Sequence, residues 1–187
     1  MQQSFTKSVT LVLGGVRSGK SRYAQQLAQR VDRVTFVATA EHRDDPEMRV
    51  KIDRHRADRP ATWTTVEEPL HLSAAIPDAG NASDAVLIDC MTLFAANLLE
   101  AYDGNEVGLE LEISRLCETL KTPSCSIILV SNEVGSGVVP AYESGRKFRD
   151  LVGEINQRVA AIADNVLLMV AGLPLVIKGS IPTEMAQ

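Results

Sequence analysis

Aromatic side chains make up only 4% of the 187 residues, and there are three cysteines and three histidines. So few rings exclude the stacking platforms by which proteins hold single-stranded nucleic acid. Cys90, Cys117 and Cys125 show neither C-x-x-C spacing nor a histidine at ligand distance, which excludes a structural zinc site and a disulfide framework. The thiols read as reduced packing residues. Long apolar runs are missing too: Asn165–Gly172 stops well short of the ~20 residues that cross a bilayer, and Met1–Ser8 is polar, unlike a secretory signal. A cytoplasmic protein without a membrane span is expected. Positive charge is in deficit, with 19 Lys and Arg against 24 Asp and Glu and a net charge of −5. No long-range field gathers nucleic acid, so any anion site has to be local.

What is present suits one globular domain: 45% of residues are hydrophobic and 23% charged. A single nucleotide-binding domain over 1–187 is expected, with 1–8 as a flexible extension. Val9 to Leu13 reads as a strand closed by Gly14-Gly15, and a helical pattern runs from Lys20 to about Arg30. A strand follows at Val34 to Ala38. A helix opens with Asp45 as its cap and Pro46 in its first position, and ends before Pro60. Extended chain is expected over 62–66, a short helix over 69–76, a turn at Pro77-Asp-Ala-Gly-Asn and a strand over 85–89. Helices over 91–102 and 106–120, a strand over 126–130, a glycine-containing loop over 135–145, a helix over 146–163 and strands over 166–170 and 175–177 complete the chain. Aliphatic runs alternating with helices indicate an α/β fold with a mostly parallel sheet. Ligands of such sheets bind beyond the carboxyl ends of the strands, here just after Leu13, Ala38, Ile88 and Val130.

The first of these places carries the strongest motif. Gly14, Gly15, Val16, Arg17, Ser18, Gly19, Lys20 and Ser21 fit G-x-x-x-x-G-K-[ST] between a strand and a helix. Glycines let backbone N–H groups wrap phosphate oxygens, and the helix N-terminus adds a positive dipole. Lys20 is expected on the terminal phosphates and Ser21 on Mg²⁺. Asp89, at a strand tip, can hold the same ion directly or through water, or cap the helix from Met91.

The second place is the segment after Asp45. Arg49, Lys51, Arg54, Arg56 and Arg59 face only Asp53 and Asp58 there, a local excess of positive charge in an acidic chain. On a helix, Met48, Ile52 and His55 share a face that Arg59 continues. Two readings stay open. Either His55 is a half-buried helix residue beside a solvated basic face, or its neutral imidazole attacks the α-phosphorus of a nucleotide while the cations offset phosphate charge. His42 and His71 read as surface residues.

Taken in order, several segments resemble one family. They are Gly14 to Ser21, Val37-Ala-Thr39, Asp45 to Met48, Ile52-x-x-His55-x-x-x-Arg59-Pro60, Trp63-x-Thr65-x-Glu67, Asp89-Cys-x-Thr92 with Asn97-Leu-Leu99, and Ser131-Asn-Glu-Val-Gly135-x-Gly-x-Val-Pro140. Their order and spacing are similar to the bifunctional adenosylcobinamide kinase / adenosylcobinamide-phosphate guanylyltransferases of cobalamin biosynthesis, over about Thr10 to Lys178. The resemblance implies a RecA-like P-loop domain that performs two reactions. ATP or GTP phosphorylates adenosylcobinamide, and then the histidine matching His55 takes GMP from GTP, releases pyrophosphate and passes GMP to adenosylcobinamide phosphate. It further implies that Thr39, Ala40, Glu41, Arg56, Ala57, Asp58, Arg59, Glu67 and Asp89 line the nucleotide site with the phosphate loop. Asn132 and Glu133 would orient substrate, and the chain would form a homo-oligomer, a trimer by resemblance. Family members often carry two adjacent histidines in this helix, whereas Arg54 precedes a single His55 here. Two rival expectations are a single-activity P-loop kinase of a small metabolite and a non-enzymatic nucleotide switch. The second lacks an Asn-Lys-x-Asp guanine-reading motif.

Overall fold

β-branched and aliphatic runs form the interior strands of a seven-stranded sheet in the computed structural model, which describes residues 7–40 and 59–181. In chain order the elements are β1 (Val9–Gly14), α1 (Lys20–Ala28), β2 (Val34–Ala38), β3 (Thr64–Glu67), α2 (Leu72–Ala82) and β4 (Ala85–Asp89). They continue with α3 (Met91–Ala101), α4 (Glu106–Lys121), β5 (Ser126–Asn132), α5 (Glu143–Ile162), β6 (Asn165–Val170) and β7 (Leu173–Lys178). The strand order is β3-β2-β4-β5-β1-β6-β7, parallel throughout except for β7, which returns antiparallel on β6. The expected α/β class and mostly parallel sheet are therefore what the chain adopts. The helix expected from Pro46, with Glu41, His42, His55, Arg56, Ala57 and Asp58, lies outside the described residues. Of the polar start, Ser8 accepts a hydrogen bond from the Ile127 amide through its carbonyl (2.8 Å).

Strand alternation puts successive side chains on opposite faces. Leu11, Val37, Val86, Ile88, Ile127 and Leu129 pack with α2, α3, α4 and α5, around Ile76, Phe94, Leu116 and Ile155. Val12, Phe36, Leu87, Ile128 and Val130 pack on the other face, under Ala24, Leu27 and Ala28 of α1. Both faces of the central strands are thus covered, which is why these strands are continuously apolar.

Pro77, Asp78 and Gly80 do not form the expected turn: they lie inside α2. Pro77 cannot donate to the Ser73 carbonyl one turn earlier; the Thr119 hydroxyl of α4, which donates to the Arg115 carbonyl (3.0 Å), shares its proton with that oxygen at 3.4 Å. Packing of α2 on α4 and the sheet outweighs the local turn propensity. α2 begins at Leu72 rather than Pro69, because the Glu68 carboxylate accepts from the amides of Leu70 and His71 (2.9 and 2.7 Å) and organises the chain before it. His71 precedes α2 and is mostly exposed, with Nδ1 3.5 Å from buried Glu112.

Candidate functional site

β1 ends at Gly14, and the chain wraps from there into the first turn of α1. A side chain on Gly14 would collide with Ser18 Oγ and lie 2.9 Å from the Met169 carbonyl oxygen, so the close wrap requires glycine. Gly19, at φ +93°, takes the left-handed backbone that starts α1 and offers no capping side chain. The first N–H groups of α1 therefore have no side-chain acceptor at this cap, the arrangement that receives an anion. Ser18 N–H donates to the Gly15 carbonyl (3.2 Å), and Lys20 Nζ donates to the same oxygen (3.2 Å). The ammonium thus sits across the mouth of the loop. Its partial burial lowers its pKa from the ordinary lysine value, and the nearby Asp89 carboxylate pulls the other way.

The flanking strands fix the walls. Gly14 pairs in register with Asn132 of β5, and the Glu133 amide donates to the Gly14 carbonyl (3.2 Å). On the other side, the β6–β7 hairpin turns through Ala171 and Gly172, both at positive φ, and the Gly172 amide donates to the Ser18 carbonyl (2.9 Å). Asn132 is held through its own backbone, donating to Thr92 Oγ1 (2.9 Å) and accepting from Asn156 Nδ2 (3.0 Å). The buried oxygens Ser18 Oγ, Ser131 Oγ, Asn132 Oδ1 and Asn156 Oδ1 have no partner among the described residues. They collect at this end of the sheet, where a polar ligand would satisfy them.

Asp89 closes β4 two residues beyond Leu87 and so lies on the α1 face, the face of the phosphate loop. Capping of α3 falls to Cys90, not Asp89, and without a side-chain bond. The Asp89–Cys90 peptide is cis. Glu67 ends β3 on the same face, and Ala38 is in register with both carboxylate residues. One strand separates Glu67 from Asp89, about 10 Å at the backbone, with a small residue between them. The Ser21 hydroxyl and the Asp89 carboxylate are hard oxygen donors, a set that fits Mg²⁺.

Other expected residues sit differently. Thr39 is fully buried, and its hydroxyl donates to the Cys90 carbonyl (2.7 Å) while accepting from the Cys90 amide (2.9 Å). It joins the ends of β2 and β4 from within. Ala40 is half-buried beside it. Arg59 lays its guanidinium carbon 3.4 Å from the centre of the Phe36 ring, in mid-strand rather than at a strand tip. Cys90 is a neutral thiol, its pKa pushed up to about 11, first by burial and then by Asp89. All three cysteines are free.

Residues of the frame that local reading left without a role are Thr92, Asn97, Asn156 and Gly172. Asn97 Nδ2 donates to the carbonyls of Thr39 (2.8 Å) and Pro69 (3.1 Å), holding the strand tips from below. Thr92 and Asn97 stand in the motifs quoted above, but nothing local to Asn156 or Gly172 marks them.

Residues 10–177 match the model of the cobinamide kinase / cobinamide phosphate guanyltransferase family. The chain is 45% identical over 170 residues to the bifunctional adenosylcobalamin biosynthesis protein CobP of Pseudomonas aeruginosa, covering 90% of this chain and 96% of that protein. It is 39% identical over 179 residues to the corresponding protein CobU of Escherichia coli, covering 90% and 98%. Among solved structures, an ATPase of a bacterial type III secretion system superposes with a TM-score of 0.58 at 12% identity, over 96% of this chain and 61% of that one. The ATPase EscN in complex with its stalk EscO gives 0.52 at 15%, over 96% and 50%. These last two are likenesses of fold.

Proposed function

The chain belongs to the cobinamide kinase / cobinamide phosphate guanyltransferase family, and from that membership we propose how its residues divide the work. It is a bifunctional enzyme of cobalamin biosynthesis. In the kinase step the loop Gly14–Ser21 cradles the phosphates of ATP or GTP, and Lys20 offsets charge on the terminal phosphoryl group as it passes to the hydroxyl of adenosylcobinamide. Ser21 and Asp89 would hold Mg²⁺, which when bound neutralises phosphate charge.

In the second step the imidazole of His55 attacks the α-phosphorus of GTP. The bond from that phosphorus to the bridging oxygen breaks, pyrophosphate leaves, and GMP remains on the ring nitrogen as a phosphoramidate. A phosphate oxygen of adenosylcobinamide phosphate then attacks the same phosphorus, and the P–N bond breaks to free the imidazole and give adenosyl-GDP-cobinamide. Arg56 and the other cations of the segment offset charge during both transfers, and Arg59 anchors the segment's end on Phe36. Glu67, with Ala40, Glu41, Ala57 and Asp58, borders the nucleotide, while Thr39 supports that wall from within. One observation carries the phosphoryl half: a glycine-shaped loop at a helix N-terminus with Lys20 across its mouth and Asp89 acting on that ammonium.

The enzyme works in the cytoplasm, where nucleoside triphosphates are kept and free thiols stay reduced. It assembles as a homo-oligomer, a trimer by family resemblance. The support for assembly is β7, whose Leu173, Leu175, Val176 and Ile177 are 71, 55, 39 and 59% exposed on an open sheet edge.

Labelling separates this reading from a single-activity kinase. GTP labelled at the α-phosphate should leave acid-labile, alkali-stable label on the protein, and GTP labelled only at the γ-phosphate should leave none. An α-labelled His55→Ala protein would remove His55 from the mechanism.

A further inference from the structure

Among the described residues, large apolar side chains stand exposed in three regions. Val107 and Leu111 lie on α4. Val170 and the β7 residues line the sheet edge, which starts at the turn bonded to Ser18 and runs away from the phosphate loop. The third group gathers at the phosphate end: Val16 at the tip of the loop, 83% exposed, with Val138, Val139 and Tyr142 at 94, 61 and 80%.

The last three belong to the segment between β5 and α5, which leaves the sheet at Asn132, the register neighbour of Gly14. It is anchored at both ends. Glu133 is bonded to Gly14, and its carboxylate accepts from the Gly135 amide (3.0 Å). The Arg146 guanidinium donates to the carbonyls of Pro140 (3.2 Å) and Ala141 (2.8 Å). The exposed valines and tyrosine are therefore carried on a held segment beside the phosphate site.

The acceptor named by the family needs such a surface. Cobinamide is a broad ring whose methylated framework is apolar between amide-bearing side arms, and its reactive hydroxyl ends one such arm. With the hydroxyl at the terminal phosphate near Lys20, the ring lies within an arm's length of the phosphate loop, too large to follow the arm inside. An apolar shelf there takes the ring face out of water, and a tyrosine adds a flat partner with a polar tip. The β7 edge suits a protein strand better, because beyond Pro174 it offers a row of backbone donors and acceptors.

We infer that Val16, Val138, Val139 and Tyr142 form the seat of the corrinoid ring. The assignment rests on the family reading of the acceptor. The same seat serves both reactions, since the second acceptor is the first one carrying a phosphate.

The test is equilibrium dialysis of adenosylcobinamide against the full chain with a non-hydrolysable GTP analogue, read by corrinoid absorbance. Compared are wild type, Val138→Ser/Val139→Ser/Tyr142→Ala, and Val107→Ser as an exposed apolar control. The triple variant should bind the corrinoid about tenfold or more weakly, with nucleotide affinity and sedimentation unchanged and Val107→Ser like wild type. Equal corrinoid affinity in the triple variant and wild type overturns the seat while leaving the family reading intact. Loss of affinity that comes only with dissociation of subunits overturns it as well, by making the segment a subunit contact. A wild-type protein that does not bind the corrinoid in dialysis and, with ATP replacing the analogue, does not phosphorylate it overturns the family reading and the seat together.

Discussion

Asn97 is 4% exposed and spends its amide on two carbonyls, those of Thr39 and Pro69. Asn97→Ala takes the donor from a buried carbonyl at Thr39 and a part-buried one at Pro69, so unfolding free energy should drop by about 2 kcal/mol in urea titration. Lys20 carries a different expectation. Burial lowers its pKa from 10.5 and Asp89 raises it, while phosphate binding needs the charged ammonium. The affinity for a GTP analogue, measured with chelator present to remove the metal role of Asp89, should fall on the alkaline side below the pH of a solvated lysine. Asp89→Asn removes the opposing negative charge and should move that limb lower still. A limb that stays in place shows that the carboxylate does not act on Lys20. These two residues also show what sequence makes legible. The phosphate loop is legible because its chemistry is local, a run of glycines, a lysine and a serine that shape their own backbone. Asn97 acts across 58 and 28 positions of chain, so its bonds leave no trace in the residues around it.

At the scale of elements the strands were the readable part, since buried parallel strands are continuous apolar runs bounded by glycine or polar residues. α2 was not readable, because Pro77-Asp-Ala-Gly-Asn has the composition of a turn and its helical state depends on Thr119 and the floor of the sheet. That dependence predicts a coupled pair. Pro77→Ala restores a donor to the Ser73 carbonyl and relieves the ring, and should raise the urea-unfolding free energy by about 1 kcal/mol. Thr119→Val should cost about 1 kcal/mol in the wild-type chain and less beside Pro77→Ala, where only the bond to Arg115 is lost. The double-mutant cycle measures the difference. A Pro77→Ala chain less stable than wild type would mean that the proline acts chiefly by restricting the unfolded state.

For the whole molecule, the net charge of −5 conceals where its cations lie, and the apolar side chains left outside are similarly uneven. β7 is open on both faces, although Pro174 beside the turn and Lys178 with a bulge between Val176 and Lys178 at the far end moderate it. Lys178 donates to the carbonyls of Ala160 and Ala161 near the end of α5 (3.1 and 2.9 Å) and so ties the strand to the body. If β7 carries the assembly, Leu175→Lys/Ile177→Lys should convert the oligomer to monomer in sedimentation velocity without loss of folded structure, since both side chains are exposed in the single chain. The effect should also reach the nucleotide. The turn that begins β7 donates from Gly172 to Ser18, and a side chain on Gly19 would stand 3.2 Å from the Gly172 Cα. Hairpin and phosphate loop therefore move as one piece. A monomeric variant should bind the GTP analogue several-fold more weakly, about 1 kcal/mol, although no altered residue touches the phosphate site. A variant that stays oligomeric removes β7 from the interface, and a monomer with full nucleotide affinity shows that the Gly172–Ser18 bond holds without the neighbouring subunit.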